Sequence, residues 1–325
     1  MSLDAAIPSF FSKLNRFVSS FSSDGLEMFG HSDQGVGQGG FDIWVLKRAS
    51  PEDEWGPPEN LGPIVNSASW EGAASISGDS LELYFISYRP RGYGYGDIYV
   101  TRRATRTSPW GPATNLRPNV NSKYGEEGAS VSSDGLELYF SSDRPGGMGF
   151  FDIYVSKRAT IQYPWGDPVN LGSVVNSPFS EQRPCLSPDG LLLLFHVYRP
   201  GGFGLKDLWM TRRASHTAAW EQAVNLGPII NSPNMDVGPC LAPDGSALYF
   251  AWDWSDRPSK PWKAPIIPVV DFNDDGRVDA ADRAILEADL GKNQSPCDIG
   301  PFPWGDGKVD EQNLKVFMTY CQKAN

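Results

Sequence analysis

The feature that most constrains this chain is a repeat. WGPPENLGPIVNS, WGPATNLRPNVNS, WGDPVNLGSVVNS and WEQAVNLGPIINS begin at Trp55, Trp110, Trp165 and Trp220, an interval of 55 residues each time. The same interval links Asp42, Asp97, Asp152 and Asp207, and also Asp24, Asp79, Asp134, Asp189 and Asp244. The last of these marks a fifth copy. Such a unit cannot bury its apolar face alone and must stack on its neighbours. Within one unit, EEGASVSSDG, LELYFSSDR and FDIYVSKRA are short, alternating and rich in aromatic and β-branched residues, as strands are. Asp-Gly and Arg-Pro-Gly-Gly separate them as turn signals. WGDPVNLG supplies a weaker fourth strand. Four short strands at this period predict a propeller blade. The alternative, a helical solenoid, needs a 3.6-residue period, and none is seen before residue 280. The 34 glycines and 27 prolines among 325 residues fit a turn-rich all-β chain.

The expected architecture is a five-bladed β-propeller over residues 1–268, with a small α-helical module over 269–325. First strands are predicted to begin near Asn15, Trp70, Gly125, Ser180 and Met235. The fifth unit has PCLAPDG, SALYFAW and a third strand in WKAPIIPVV, but lacks the tryptophan-led fourth. Shifted by 55, residues 5–12 (AAIPSFFS) fall on NLGPIVNS, with Pro8 on Pro63 and Ser12 on Ser67. An N-terminal strand is therefore expected to complete blade five and remove an open sheet edge. The motifs S-x-D-G-x-x-L-Y-F, S-x-R-P-G-G-x-G and D-I-Y-V resemble the TolB-like family of WD-repeat-like propellers over roughly residues 15–270. That resemblance implies the fold. It implies little about activity, because propellers host enzymes, lectins and scaffolds alike.

After Val270 the composition changes. DFNDDGRVDAAD places Asp271, Asn273, Asp275, Asp279 and Asp282 at loop positions 1, 3, 5, 9 and 12, with Gly276 at the sharp turn. Ca2+ takes about six to eight hard oxygen ligands, and this spacing wraps them around one ion, the carbonyl of Arg277 adding another. A helix is expected next, ending at Gly291. A less regular loop follows, in which Asp306, Asp310 and Asn313 and the carbonyl of Lys308 hold the ligand positions and Asp298 replaces a first ligand. A second, weaker calcium site is expected there, and a second helix in EQNLKVFMTY. The alternative for both loops is an acidic, solvated tail. Two loop-helix units of this kind resemble an EF-hand-like type I dockerin. The resemblance implies a calcium-folded plug that docks secreted proteins to a cohesin-type partner. Ala280 and Ala281 depart from the family where a partner-reading pair often sits, so a purely stabilising or intramolecular role is open as well.

On the propeller, the blade-to-blade connection and the loop between strands two and three share one face. That face collects one acidic column, Glu71, Glu126, Glu181 and Asp236, with Arg89, Arg144 and Arg199. Trp70, Tyr93, Tyr95, Tyr124, Phe150, Phe179 and Phe203 are its rings. Rings stack on the apolar faces of sugars while charged groups bond hydroxyls, so this axial mouth is the expected binding site. The column acids are also the candidate catalytic residues, should the protein be a hydrolase. A residue repeated in every blade is more simply a blade part, and Arg89 with Asp97, Arg144 with Asp152 and Arg199 with Asp207 are the expected hairpin ion pairs. Departures from the repeat are better candidates: Arg16 in the acidic column, Gln34 and Trp254 in the arginine column, and Trp252 beside it. His31 and His196 share a column and read as incidental.

Net charge is −11, which argues against nucleic acid as a partner, because phosphate binding needs clustered Lys and Arg. No apolar run is long enough to span a membrane. The N-terminus lacks the apolar core of a signal peptide, so an export leader would precede residue 1. Secretion or surface display is the expected setting. Cys297 and Cys321 flank the second loop as a possible clasp, and Cys185 and Cys240 read as small packing residues. The leading expectation is a monomeric binding module for a glycan or a protein; the alternative is a five-bladed propeller glycosidase working through the axial carboxylates.

Overall fold

A computed structural model of the protein describes residues 16–33, 37–116, 118–254, 257–266, 272–273, 280–292, 297, 299 and 308–323. Blade one comprises β1 (Arg16–Phe21), β2 (Glu27–Ser32), β3 (Asp42–Lys47) and β4 (Glu59–Asn60). Blade two comprises β5 (Glu71–Ile76), β6 (Glu82–Ser87), β7 (Asp97–Arg102) and β8 (Thr114–Asn115). Blade three is β9 (Glu126–Val131), β10 (Glu137–Ser142), β11 (Asp152–Lys157) and β12 (Val169–Asn170). Blade four is β13 (Gln182–Leu186), β14 (Leu192–Val197), β15 (Asp207–Arg212) and β16 (Val224–Asn225). Blade five shows β17 (Met235–Leu241), β18 (Ala247–Trp254) and β19 (Arg257–Pro265). Each sheet is an antiparallel meander in chain order. The first strands pack side by side around an axis, and β17 returns to β1, which closes a ring of five blades.

Side chains of each second strand are buried because neighbouring blades cover both faces of the sheet. Phe29, Phe85, Phe140 and Phe195 are all 0% exposed. The repeated tryptophan belongs to the joints. Trp110 packs edge-on to Phe29 of blade one, Trp165 to Tyr84 of blade two and Trp220 to Tyr139 of blade three. Burying one such side chain is worth roughly 1.5–3 kcal/mol, against about 1 kcal/mol net for a turn hydrogen bond. Apolar contact between blades therefore dominates the stability of the ring, and polar groups set its geometry.

The polar devices explain the repeat motifs. In each S-x-D-G turn the aspartate accepts from the serine hydroxyl and from the N–H two residues on, as Asp24 does from Ser22 and Leu26. Gly25, Gly135, Gly190 and Gly245 hold the turn at φ between 70° and 72°, and Ser80 takes the same left-handed conformation at 62°. The last asparagine of NLGPIVNS imitates a strand. Asn66 accepts the N–H of Ile43 at 2.9 Å and donates to its carbonyl at 3.1 Å. Asn121, Asn176 and Asn231 do the same for Ile98, Ile153 and Leu208. The fourth strands are two residues long because these side chains continue the pairing.

Three joints carry a buried ion pair. Arg103 of blade two reaches Glu27 of blade one, Arg158 reaches Glu82 at 2.7 Å, and Arg213 reaches Glu137 at 2.7 Å. In blades four and five the glutamate position holds Leu192 and Ala247, and blade five is joined on both sides through apolar clusters. Arg48, the equivalent of Arg103, instead donates to the carbonyls of Gly25 and Pro51 and lies 4.3 Å over the Trp55 ring.

Blade five departs from expectation in one respect. Its third strand lies at Arg257–Pro265, earlier than WKAPIIPVV, and its first residue pairs with Trp254 at the end of β18. The N-terminal strand expected to complete the blade lies outside the described residues. Among the described residues of the C-terminal segment the helices are α1 (Ala280–Asp289) and α2 (Glu311–Lys323). They pack through Leu286, Cys297, Ile299, Val309 and Phe317. Two such helices do not by themselves establish a dockerin-like module. Among the described residues no helix is long and apolar enough to cross a membrane.

Candidate functional site at the axial mouth

The acidic column is turned inward. Glu71, Glu126, Glu181 and Asp236 are each 0% exposed. Glu126 accepts the N–H and hydroxyl of Ser122 at 3.1 and 2.6 Å, the hydroxyl of Ser142 at 3.1 Å and Nη2 of Arg144 at 3.0 Å. Glu71 is held by Ser67, Ser87 and Arg89, and Glu181 by Ser177 and Arg199. Asp236 is held by Ser232, with Trp252 opposite in the serine position. The arginines thus pair with the glutamates of their own blades, correcting the expected pairing with Asp97, Asp152 and Asp207. Those aspartates accept backbone N–H groups of the Arg-Pro-Gly-Gly loop, Asp97 from Tyr93 and Gly94. A Cβ on Gly92 would lie 2.0 Å from the Asp97 carboxylate, which is why the loop carries glycine there. Burial pushes the Glu126 and Glu181 carboxyls up to about 7 and Asp236 up to about 6, against the opposing pull of their serine donors. The column forms clasps between each inner strand and the preceding connection, closed by arginine in blades two, three and four, and all four side chains are shut off from solvent.

What does face the mouth stands one and two residues further along the inner strands. The next column reads Phe17, Gly72, Glu127, Gln182 and Val237, different in every blade. Tyr88 donates to Glu127 at 3.3 Å, Gln182 donates to Glu127 at 2.7 Å, and Lys206 donates to Gln182 at 2.8 Å. This partly exposed polar row crosses blades two, three and four. It meets a ladder of rings from blades one and two. Phe17 stacks on His31 at 4.8 Å, His31 meets Trp70 at 5.5 Å, Trp70 meets Tyr88 at 5.3 Å, and Tyr88 meets Tyr95 at 5.4 Å. Tyr95 is 82% exposed, so the ladder runs from the axis out to solvent. Gly72 makes it possible, since a Cβ there would sit 2.7 Å from the Trp70 ring and 2.9 Å from His31.

The following column sits on a bulge in each inner strand. Ala73, Gly128, Arg183 and Gly238 occupy it with φ of 49°, 57°, 52° and 63°. Below the bulge a cavity of about 140 Å3 runs along the axis, lined by the small residues of the inner strands and by Arg183 at its neck. Its serine column is structural, Ser75 and Ser130 accepting N–H groups from the next blade. Cys185, half-buried, and Cys240, buried, continue that column as thiols that desolvation pushes up, Cys185 to about 11. His31 and His196 are buried beside the bulge. Burial holds both well below the ordinary imidazole range, with the charge of Arg183 adding to it at His31 and those of Lys206 and Arg183 at His196.

Of the residues expected from sequence, Trp70 lies in the ring ladder and Trp252 packs on Trp262 at 3.8 Å. Arg16 pairs with Ser32 and Trp254 with Arg257 through backbone, while their side chains, like Gln34, lie outside the described residues. Sequence reasoning missed Glu127, Gln182, Arg183 and Lys206. The usable signal was variability: the columns that keep one residue type in most blades are scaffold, and the columns that change in every blade line the mouth.

In the tail, Asp271, Asp275, Arg277, Asp279, Asp298 and Asp306 lie outside the described residues, as does the side chain of Cys321. The two position-twelve residues, Asp282 and Asn313, are both 0% exposed near the starts of α1 and α2. Asp282 accepts the N–H groups of Phe272 at 2.7 Å and Asn273 at 3.3 Å, and Asn313 accepts that of Asp310 at 2.7 Å. Lys308 is exposed. Among the described residues no group of three His, Cys, Asp or Glu is arranged to hold a metal.

No family model matches the chain, and no curated protein matches it either. Solved structures do share the fold. An endo-arabinase from Bacteroides thetaiotaomicron superposes with a TM-score of 0.53 at 16% identity, over 80% of this chain and 96% of that one. A thermostable family-43 glycoside hydrolase gives 0.51 at 13% identity, over 80% and 91%. TolB from Acinetobacter baumannii gives 0.49 at 16% identity over 77% of this chain, which spans only 55% of that protein. The chain is similar in fold to the endo-arabinase and the family-43 hydrolase.

Proposed function

We propose that this protein is a recognition protein whose propeller binds a glycan at the axial mouth. One observation carries the reading: a ladder of rings from Phe17 to Tyr95 meets the polar row Glu127, Gln182 and Lys206 beside an open axial cavity. Rings cover the apolar faces of sugar units and are worth about 0.5–1.5 kcal/mol per contact beyond area, while the row bonds hydroxyls. A protein loop bearing similar groups is the alternative ligand. A glycan array on the intact chain tests the reading, with Trp70→Ala expected to weaken every hit. Hits unchanged by Trp70→Ala would refute it.

Glycan hydrolysis is the second reading, favoured by the likeness in fold to an endo-arabinase and a family-43 glycoside hydrolase. Hydrolysis needs two carboxyls flanking the bond, roughly 5–9.5 Å apart, with environments that separate their pKa values. Glu71, Glu126 and Glu181 are enclosed in similar arginine clasps, Asp236 is enclosed with Ser232 and Trp252, and Glu127 is the carboxylate bonded into the row. Binding is therefore the stronger reading. Release of reducing ends from the array hits would reverse that order.

The tail, in this proposal, binds Ca2+ through Asp271, Asn273, Asp275, Asp279, Asp282 and the carbonyl of Arg277. A second ion is taken by Asp298, Asp306, Asp310, Asn313 and the carbonyl of Lys308. The oxygen-only donor set and the buried position-twelve side chains fit a hard cation. The ion would fix both loops against the helices and leave a face for a cohesin-type partner. A secreted or surface-attached protein is the setting in which such a module and a glycan-binding propeller act together.

A further inference from the structure

We propose that the joint between blades five and one binds the glutamate side chain of a peptide, held by Arg48, Tyr249 and Lys263. Two other joints show the arrangement on which this rests. In blade three the Glu137 carboxylate accepts from Nη2 of Arg213 in the next blade at 2.7 Å and from the Tyr139 hydroxyl at 3.0 Å, with Nζ of Lys157 at 2.6 Å. In blade two Glu82 is held in the same way by Arg158 at 2.7 Å, Tyr84 at 2.6 Å and Arg102 at 2.7 Å. Three donors from two blades converge on one carboxylate, and bonds from cationic donors to a carboxylate are the strong ones.

Blade four replaces acid and tyrosine together, by Leu192 and Leu194. Blade five replaces the acid alone: Ala247 stands in the glutamate position, and Tyr249, two residues on, keeps the hydroxyl. Arg48 keeps the pose of its equivalents. Its Nε donates to the Gly25 carbonyl at 2.7 Å and its guanidinium lies 4.3 Å from the Trp55 ring centre, against 2.7 and 4.7 Å for Arg213 with Gly190 and Trp220. Nη1 donates to the Pro51 carbonyl, while Nη2 and the Tyr249 hydroxyl have no hydrogen-bond partner among the described residues. Tyr249 is nonetheless only 7% exposed. Lys263 pairs with Tyr249 across β18 and β19, its Nζ 5.6 Å from the ring centre. All three donors border a groove of about 870 Å3 whose apolar wall includes Phe21, Trp55, Pro58 and Pro243. That volume is in the range of pockets that enclose a small ligand. Glu52, Asp53 and Glu54 also line the groove, with Asp24 and Asp244 from flanking turns. Asp24 is paired with Arg106, Asp53 accepts the N–H of Ser50, and Asp244 accepts from Ser246. This acidic rim repels a run of acids, so the groove suits one glutamate among neutral residues.

The test is titration calorimetry of the full chain with acetyl-Ala-Leu-Glu-Leu-Ala-amide, its glutamine counterpart and acetylated pentaglutamate amide, alongside thermal melting. The glutamate peptide is expected to bind roughly 10- to 100-fold more tightly than the glutamine peptide, and pentaglutamate no better than the single glutamate. Tyr249→Phe should weaken the glutamate peptide about 3- to 10-fold at an unchanged melting temperature. Ala247→Glu supplies the carboxylate from within the blade, so it should abolish peptide binding and keep or raise the melting temperature. Equal binding of the glutamate and glutamine peptides, tighter binding of pentaglutamate, or an affinity that survives both substitutions overturns the proposal. So does an Ala247→Glu variant that melts lower or fails to fold, because donors arranged for a carboxylate would accept this one. If no peptide binds while Ala247→Glu is stabilising, the donors serve the joint alone and the peptide site is refuted. Glycan binding at the axial mouth is independent of each of these outcomes.

Discussion

The joint between blades three and four offers the most quantitative test of how the ring is held. Glu137 and Arg213 are 7% and 4% exposed and meet at 2.7 Å. Burial pushes the Glu137 carboxyl up, but Arg213 and Lys157 outweigh it and bring it from 4.5 down to about 2. At about 1.36 kcal/mol per pH unit that is about 3 kcal/mol of stability at neutral pH. Part of it belongs to Lys157, whose side chain is 58% exposed and is discounted for screening. Removing one partner of a buried pair costs about 3–5 kcal/mol. Arg213 would keep the carbonyls of Gly190 and His216 and its place over Trp220, so the lower end applies. Glu137→Gln should therefore lower unfolding free energy by about 3 kcal/mol in urea at pH 7. The carboxyl is depressed in the folded state, so its contribution is complete above pH 4.5 and vanishes as pH falls towards 2, where wild type and variant should converge. The double variant Glu137→Leu with Arg213→Leu should recover most of the loss, as Leu192 already fills this position in blade four. A cost below about 1 kcal/mol for Glu137→Gln, or a gap that persists at pH 2, would refute the reasoning.

Three further outcomes are expected. Ser80→Gly should stabilise the propeller by about 0.5–1 kcal/mol, because Ser80 holds a left-handed turn that glycine holds in the other blades; a denaturant midpoint that does not rise would contradict this. Glu126, Glu181 and Asp236 have raised carboxyls, so their folded forms keep protons that the unfolded chain releases nearer pH 4; stability should decline as pH climbs through 5 to 7, and Glu126→Gln should flatten that decline in melting curves taken at each pH. In calorimetry, chelation should abolish the tail transition and leave the propeller transition in place, and a tail indifferent to chelator would end the calcium proposal.

The scaffold was readable because it is repeated. A 55-residue period with Asp-Gly turns determines blade number and strand order, and Trp110 or Asn121 needs no partner outside the pattern to be assigned a structural role. The direction of side chains was not readable. Glu126 and Glu127 are adjacent in a strand, and the bulge at Gly128 decides which one is enclosed and which is exposed. A bulge is a backbone event that depends on the neighbouring strand, so the sequence of β9 alone does not reveal it. The cross-blade pairs escaped for another reason: Arg103 and Glu27 lie 76 residues apart, longer than the repeat, and only the stacking of blades brings them together.

The uneven distribution of those pairs has a consequence for how the ring comes apart. Three joints close with buried charge, and the two flanking blade five pack through apolar clusters. Acid neutralises the first kind, whereas cold and chaotropes weaken the second. All five joints share the apolar packing that cold and chaotropes weaken, so acid is the perturbation that tells them apart: low pH removes a contribution along the arc from blade one to blade four and leaves the packing on either side of blade five untouched.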